Sequence, residues 1–420
     1  MFKLQGEANS YDNIVSSSRA YLERYLCDLK EKADVRVLPG VITGTKPDSF
    51  RVSGYPGDYY RLALYELADI IFDSIPDDIA LDITHGINFM PVLTVRATLE
   101  AAAYASLARS LKGDRTIRVS VYNSDPVQVP SNDPCKRSAS DPCRPQGDCH
   151  PVNLTIHRII AQKAGIPEII SAIDRLADEW KGNIPNIVTP VIGKDEILKK
   201  ARRLNEDNRE TVRKAIMLLK LFRHGLVPEL LAFAAEEQGL EEAFKSVLQE
   251  ALILWRNAIS IRDVKGYTIV ERRIRLWNGF EILVHALTLY RALKIGDALD
   301  TSLKTAIKLK DSYKMLGSSI TSTIQNREIM KIERALKKLP GNKLTLSLAS
   351  LYEIAGYGSY TGLSDCNVFL RDLLAHGGWH TSVIALEIEN NSTRVRVAPD
   401  KACLEKSKPR SVWEVIWDKL

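Results

Sequence analysis

The chain has 420 residues, 45% of them hydrophobic, with 58 basic and 52 acidic side chains and a formal net charge of +6. That length suits two or three domains of ordinary size, and the mild positive charge permits a nucleic-acid partner without demanding one. No run reaches the roughly 18 uncharged apolar residues of a membrane span, and the opening MFKLQGEANSYDN lacks a secretory core, so a soluble cytoplasmic protein is expected.

Residues 14–31 read as a helix, with Val15, Tyr21, Leu22, Tyr25 and Leu26 near one face. Residues 35–38 read as a short strand ended by Pro39-Gly40. Residues 41–57, rich in Gly, Pro, Ser and Thr, read as an exposed loop. A helix follows at 59–74 and stops before Pro76. A strand at 79–83, a helix at 91–107 and a strand at 116–122 complete the first third. In the second of these helices Arg96 and Glu100 are spaced i,i+4 on the wetter face.

Short β-branched strands alternating with helices are the pattern of a parallel sheet covered by helices. Such sheets take ligands at the carboxyl ends of their strands. Thr84, His85, Gly86, Ile87 and Asn88 follow one such end, and Asn123, Ser124 and Asp125 follow another. Gly86 permits close backbone approach to a ligand. Pro91 fits the first turn of a helix whose free N–H groups accept phosphate. Asp82 is placed to orient His85 or a backbone N–H. The plainer reading is a helix cap at Asn88 and a turn histidine at His85. No G-x-G-x-x-G follows a strand, which argues against a dinucleotide enzyme.

Residues 126–153 form a Pro-, Ser-, Asp-, Cys- and Arg-rich insertion. Cys135, Cys143, Cys149 and His150 fall within it and are a candidate metal set of three thiolates and one imidazole. Their spacing is not the tight C-x-x-C of a structural zinc site, so zinc, a disulfide and no bond all stay open. Cys27, Cys366 and Cys403 stand alone in the sequence.

From residue 154 helices take over. They are expected at 154–163, 167–180, 194–204, 208–223, 227–237, 240–258, 264–276, 278–293, 297–310 and 318–338. The stretch KGNIPNIVTPVIGK marks the main boundary near 185–195. Basic residues recur at Arg202, Arg203, Arg209, Arg213 and Lys214, and again at Arg272, Arg273 and Arg275. They read as solvated faces or dimer contacts, with a few reaching RNA phosphates.

Two further helices are expected at 344–356 and 363–375, then a hairpin of 383–388 with 393–397. The second helix ends in Arg371-Asp372-Leu373-Leu374-Ala375-His376, followed by Gly377-Gly378. On a regular helix Arg371 and His376 diverge, and the paired glycines supply the break that lets them converge. Histidine moves protons near neutral pH, and arginine offers a fixed cationic fork to phosphate oxygens. Together they suit metal-free RNA cleavage, in which a ribose 2′-OH attacks the adjacent phosphorus. Asp372 and His380 are candidates to orient His376 or to replace it as proton carrier. The plainer reading is ordinary helix termination by Arg and His.

The two clusters together resemble the Csx1 family of CRISPR-associated ribonucleases. The resemblance rests on LDITHGINFMPVLTVRA at 81–97, YNSDP at 122–126, VLPG at 37–40 and FLRDLLAHGGWH at 369–380. It implies a Rossmann-like α/β CARF domain at 1–155, including the 126–153 insertion, and a helical connector at 156–190. A mainly helical HEPN ribonuclease domain with a terminal β-hairpin would occupy 191–420. CARF domains begin with an early apolar strand, and the first thirteen residues here do not supply one. The implied function is single-stranded RNA cleavage in type III CRISPR antiviral defence, with no metal required. It would be switched on by cyclic oligoadenylate, in this family usually cyclic tetra-adenylate. Thr84, His85, Gly86, Ile87, Asn88, Asn123 and Ser124 would line the ligand site. Arg371 and His376 would cut, within a homodimer or larger assembly linked in function to a type III CRISPR effector complex. The competing reading is a nucleotide-sensing regulator that binds nucleic acid through its helices and cuts nothing.

Overall fold

The computed structural model describes residues 10–24, 26, 29, 31–39, 50–84, 89–124, 155–180, 183–191, 196–237, 239–264, 267–296, 299–339, 343–357, 363–389, 392–398, 402–406 and 408–420. The first part of the chain comprises α1 (Tyr11–Glu23), β1 (Phe50–Ser53), α2 (Pro56–Ser74), β2 (Asp78–Asp82), α3 (Phe89–Lys112), β3 (Arg118–Ser124) and β4 (Ile156–Lys163). Helices then dominate: α4 (Ile166–Ala177), β5 (Val188–Pro190), α5 (Glu196–Asp207), α6 (Arg209–Arg223), α7 (Val227–Glu236) and α8 (Leu240–Asn257). Three short strands, β6 (Ile259–Val264), β7 (Tyr267–Arg272) and β8 (Ile274–Leu276), precede α9 (Asn278–Ile295), α10 (Leu303–Met315) and α11 (Ser319–Leu336). The last part holds β9 (Lys343–Ser347), α12 (Leu348–Ala355), α13 (Cys366–Ala375), β10 (Ile384–Glu389), β11 (Ser392–Val397), β12 (Cys403–Glu405), β13 (Lys408–Arg410) and α14 (Val412–Lys419).

β2 and β3 pair in parallel, from Asp78↔Arg118 to Asp82↔Tyr122. This is the parallel core expected from the alternation of strand and helix. The third strand, β4, runs antiparallel to β3 with a register shift at Val121/Tyr122. Residues 154–163 were expected to be helical because Ile156, Ile159 and Ile160 have helical spacing. Pairing with β3 decides the matter instead, and β-branched isoleucines suit a strand.

A second correction falls at 264–276, expected as a helix and found as β7 and β8. β7 pairs antiparallel with β6 and parallel with β1, so a strand from near the N-terminus joins a sheet otherwise built from the helical part. β1 lies inside the stretch expected to be an exposed loop, and 35–38 is not a strand. Arg272 is buried, with its guanidinium 3.5 Å from the Trp255 ring centroid and 4.4 Å from that of Tyr11. It is therefore no solvated phosphate contact but a cationic clasp between α1 and α8. Arg275 likewise lies over Trp277, at 3.9 Å.

The core is continuous across both parts. α3 carries Ala101, Ala102, Ala103, Tyr104 and Ala105 fully buried, because small side chains let α2, α4 and α9 approach it closely. α9 is buried on nearly all faces and packs on α3, α6 and α8. A Cβ at Gly279 would lie 2.6 Å from the Asn186 carbonyl oxygen, so only glycine admits the chain beside β5 there. The expected terminal hairpin is present as β10 and β11, with β9 added on the other edge of β10. Cys366 and Cys403 do not stand alone: they form a disulfide between the start of α13 and β12.

Candidate active site

α13 begins at a good cap. The Asp365 side chain accepts from the Asn367 amide at 2.8 Å. The helix buries Phe369 and Leu373, which leaves Arg371 on the outer side with 74% of its side chain exposed. Its Nε and a terminal nitrogen each donate to the Asp372 carboxylate at 3.1 Å.

The helix stops as the paired glycines require. His376 occupies the cap at φ −108°, and Gly377 and Gly378 have φ of +58° and +91°. The Gly377 amide donates to the Leu374 carbonyl at 3.1 Å, and the Gly378 amide to the Leu373 carbonyl at 2.9 Å. That pair of bonds is a Schellman termination, and it turns His376 off the helical path.

α11 holds this turn from behind. Gln325 Nε2 donates to the carbonyls of Gly225 and Gly377, both at 2.7 Å, while its Oε1 accepts from the Trp379 indole at 2.6 Å. Arg327 donates to the Ala375 carbonyl at 2.8 Å, satisfying a free acceptor of the helix end. Glu328, with no side-chain exposure, lies 3.0 Å from His376 Nδ1 through Oε1. It also accepts from Arg327, Lys331 and Tyr352. Burial works against its ionisation, but hydrogen bonds from His376 and Arg327 and the charges of His376 and Lys331 outweigh it and hold the carboxyl at about 2.

On sequence, Asp372 and His380 are candidates to orient His376 or to replace it as proton carrier. The structure places them otherwise. Asp372 grips Arg371. His380 is buried, packs edge-on against Phe369 at 4.7 Å between ring centroids, and its Nδ1 accepts from the Ser382 amide and hydroxyl at 3.3 and 2.7 Å. Burial pushes its imidazole down to about 4, so it stays neutral at pH 7 and is a poor proton carrier. The carboxylate on His376 is Glu328, which the sequence did not single out. It lies 48 residues away and looks like any other acid on a charged helix.

At the other cluster, Asp82 Oδ1 accepts from the Thr84 amide at 2.8 Å and from the Thr84 hydroxyl at 2.5 Å. The Ser124 amide donates to Thr84 Oγ1 at 3.0 Å, and the Ile83 amide to the Tyr122 carbonyl. Thr84 and Ser124 thus meet at the carboxyl ends of β2 and β3, with Asn123 exposed beside them. Asp82 orients a backbone N–H, one of its two expected roles. His85, Gly86, Ile87, Asn88 and Asp125 lie outside the described residues. So do Cys135, Cys143, Cys149, His150 and the rest of the 126–153 insertion. Among the described residues no group of three or more His, Cys, Asp and Glu side chains is placed to hold a metal ion. No described helix is long and apolar enough to cross a membrane.

Comparison with known proteins bears on the strand-end cluster. The family model for the CARF domain of CRISPR system endoribonuclease Csx1 matches residues 2–126. The CRISPR system endoribonuclease Csx1 of Methanocaldococcus jannaschii is 34% identical over 125 residues, which are 29% of this chain and 25% of that protein. The matched region therefore spans about a quarter of the length of that curated relative. Residues 2–126, which the family model matches, contain β2 and β3, whose carboxyl ends bring Thr84 and Ser124 together. Residues 2–126 are thus similar to a Csx1 CARF domain, and the likeness to the relative is confined to 29% of this chain.

Proposed function

We propose that this protein is a ligand-activated endoribonuclease: a cyclic oligoadenylate bound at the CARF domain turns on cleavage of single-stranded RNA at Arg371 and His376. The relative from Methanocaldococcus jannaschii carries the name of an endoribonuclease, which supports the reaction class. The helical part from 191 onward would be the HEPN domain, and cyclic tetra-adenylate is the expected ring. The protein would work in type III CRISPR defence as a homodimer, with two copies of α13 facing one cleft. A ring of two-fold symmetry suits a site shared by two copies of Thr84 and the residues after it.

One observation carries the cleavage reading. His376 is 39% exposed and braced by a buried carboxylate, and a largely exposed Arg371 sits on the same short helix. In the reaction His376 takes the proton of a ribose 2′-OH. The freed oxygen attacks the neighbouring phosphorus, and the bond from phosphorus to the 5′ oxygen breaks. The products are a 2′,3′-cyclic phosphate and a 5′-hydroxyl, and the proton passes from the imidazole to the departing oxygen. Arg371 offsets charge on the five-coordinate phosphorus. Asp372 limits the swing of the guanidinium while leaving donors free for phosphate.

The test is labelled single-stranded RNA incubated with the protein and cyclic tetra-adenylate in EDTA. Wild type is expected to cut. His376→Ala should lose about 10² to 10⁴ in rate and Arg371→Ala about 10² to 10³. Cutting that survives both substitutions rejects the site. Loss of cutting in EDTA rejects metal independence.

A further inference from the structure

We infer that Glu328 is a positioning residue for His376: it selects which imidazole nitrogen faces RNA and stabilises the protonated ring. The catalytic consequence rests on the ribonuclease reading, but the pairing itself can be tested without any RNA.

The geometry is that of a held base. Glu328 lies within α11 with its side chain fully buried, and Oε1 sits 3.0 Å from His376 Nδ1. Its other contacts are donors. Arg327 Nε reaches Oε1 at 2.8 Å, Lys331 Nζ reaches both oxygens at 3.2 Å, and the Tyr352 hydroxyl reaches Oε2 at 3.1 Å. A buried carboxylate with this many donors is kept as an anion. An anion can only accept, so Nδ1 of His376 carries the proton. In the neutral ring Nε2 is then the bare nitrogen, directed away from Glu328.

That assignment gives each nitrogen one task. Nε2 takes the 2′-OH proton, and the electron pair of the broken O–H bond forms the new bond to phosphorus. The resulting imidazolium keeps Nδ1–H on Glu328, whose charge stabilises it. Nε2 then returns its proton to the departing 5′ oxygen. Glu328 touches no reacting atom and acts only through His376.

The placement is reinforced by the rest of α11. Gln325 fills the space where a Cβ on Gly377 would sit, 2.3 Å from Nε2, and bonds the Gly377 carbonyl. Arg327 bonds the Ala375 carbonyl. Three side chains of one helix therefore fix the backbone on both sides of His376 and the ring itself. The titratable groups facing the pair are Arg327 and Lys331 from α11, Tyr352 from α12, and His380 beyond α13.

The experiment is a nitrogen NMR titration of His376 in the full chain, with ring-labelled histidine and His376→Ala for assignment. In wild type the neutral ring is expected to be protonated at Nδ1. In Glu328→Gln the share of neutral ring protonated at Nδ1 should fall, because an amide that can also donate replaces an anion that can only accept. Glu328→Asp should recover part of that share. RNA cleavage by Glu328→Gln should drop by about 10² or more, and Glu328→Asp should recover part of that loss. A wild-type neutral ring protonated at Nε2 overturns the inference, and that reading needs no variant to fold. An unchanged His376 tautomer in folded Glu328→Gln also overturns it. Wild type that cuts no RNA, with the tautomer as expected in wild type and changed in Glu328→Gln, rejects the ribonuclease reading and leaves the pairing standing.

Discussion

His376 takes its orientation from a carboxylate 48 positions earlier, while its neighbour Asp372 is occupied with Arg371. The contrast follows from helix geometry. Asp372 lies on the outer face beside Arg371, whereas the end of the helix faces α11. Behind the same turn lies Glu229, fully buried, with neither carboxylate oxygen finding a partner outside its own residue. Burial drives this carboxyl from 4.5 up to about 8. The folded state therefore binds a proton that the unfolded chain has released between those limits. Stability from this group is fully present below about pH 4.5 and is lost as pH rises, by about 1.4 kcal/mol per unit, until about pH 8. The measurement is unfolding of wild type and Glu229→Gln across pH 5 to 8. The variant should gain steadily on wild type as pH rises, and parallel curves would show that Glu229 is not held neutral.

At the scale of elements, the turn after α13 is the feature that both sequence and structure express most clearly. Gly377-Gly378 announces a helix stop, and the Schellman bonds supply it. Gly377→Ala places a side chain at φ +58° and against Gln325, so stability should fall by about 1–3 kcal/mol in denaturant unfolding. A loss under about 0.5 kcal/mol would mean that α11 does not brace the turn tightly. Other elements were legible only in part. α2, α3, α6, α8, α9 and α11 show in 59–74, 91–107 and the later helical runs, because each packs apolar side chains against its neighbours, α9 on nearly all faces. β4 and β7 do not. Ile156, Ile159 and Ile160 have helical spacing, and the fold of 267–272 depends on partners at 50–53 and 259–264. The Cys366–Cys403 bond spans 37 residues and has no local signature. Glu328 was invisible for the same reason: its meaning lies in contacts from α12 and α13.

Over the whole molecule, the strand ends of the CARF domain and the helices behind them are physically joined. α3 starts just after the segment that follows Thr84 and runs into a buried charge cluster shared with α4 and α9. Arg96 pairs with Glu100 at 3.0 Å, and Arg175 reaches both Glu100 and Glu281, at 3.3 and 3.0 Å. Arg61 adds a contact to Glu281 at 3.1 Å, and Tyr60 donates to Glu100. Burial pushes Glu100 up to about 7, against the pull of Tyr60 and Arg96, and pushes the neighbouring His285 down to about 3. The buried carboxylates Glu100 and Glu281 would be costly to strip of these partners, so the cluster ties α3, α4 and α9 together. A ligand at the end of β2 can bias the helical part only through differential affinity for two arrangements. The direct measurement is the rate of single-stranded RNA cleavage as a function of cyclic tetra-adenylate concentration, beside binding of the same ring. The account predicts saturable activation in wild type, and unchanged ring binding with no cutting in His376→Ala. Cutting at the same rate without the ring, or none at any concentration of any cyclic oligoadenylate, would contradict it.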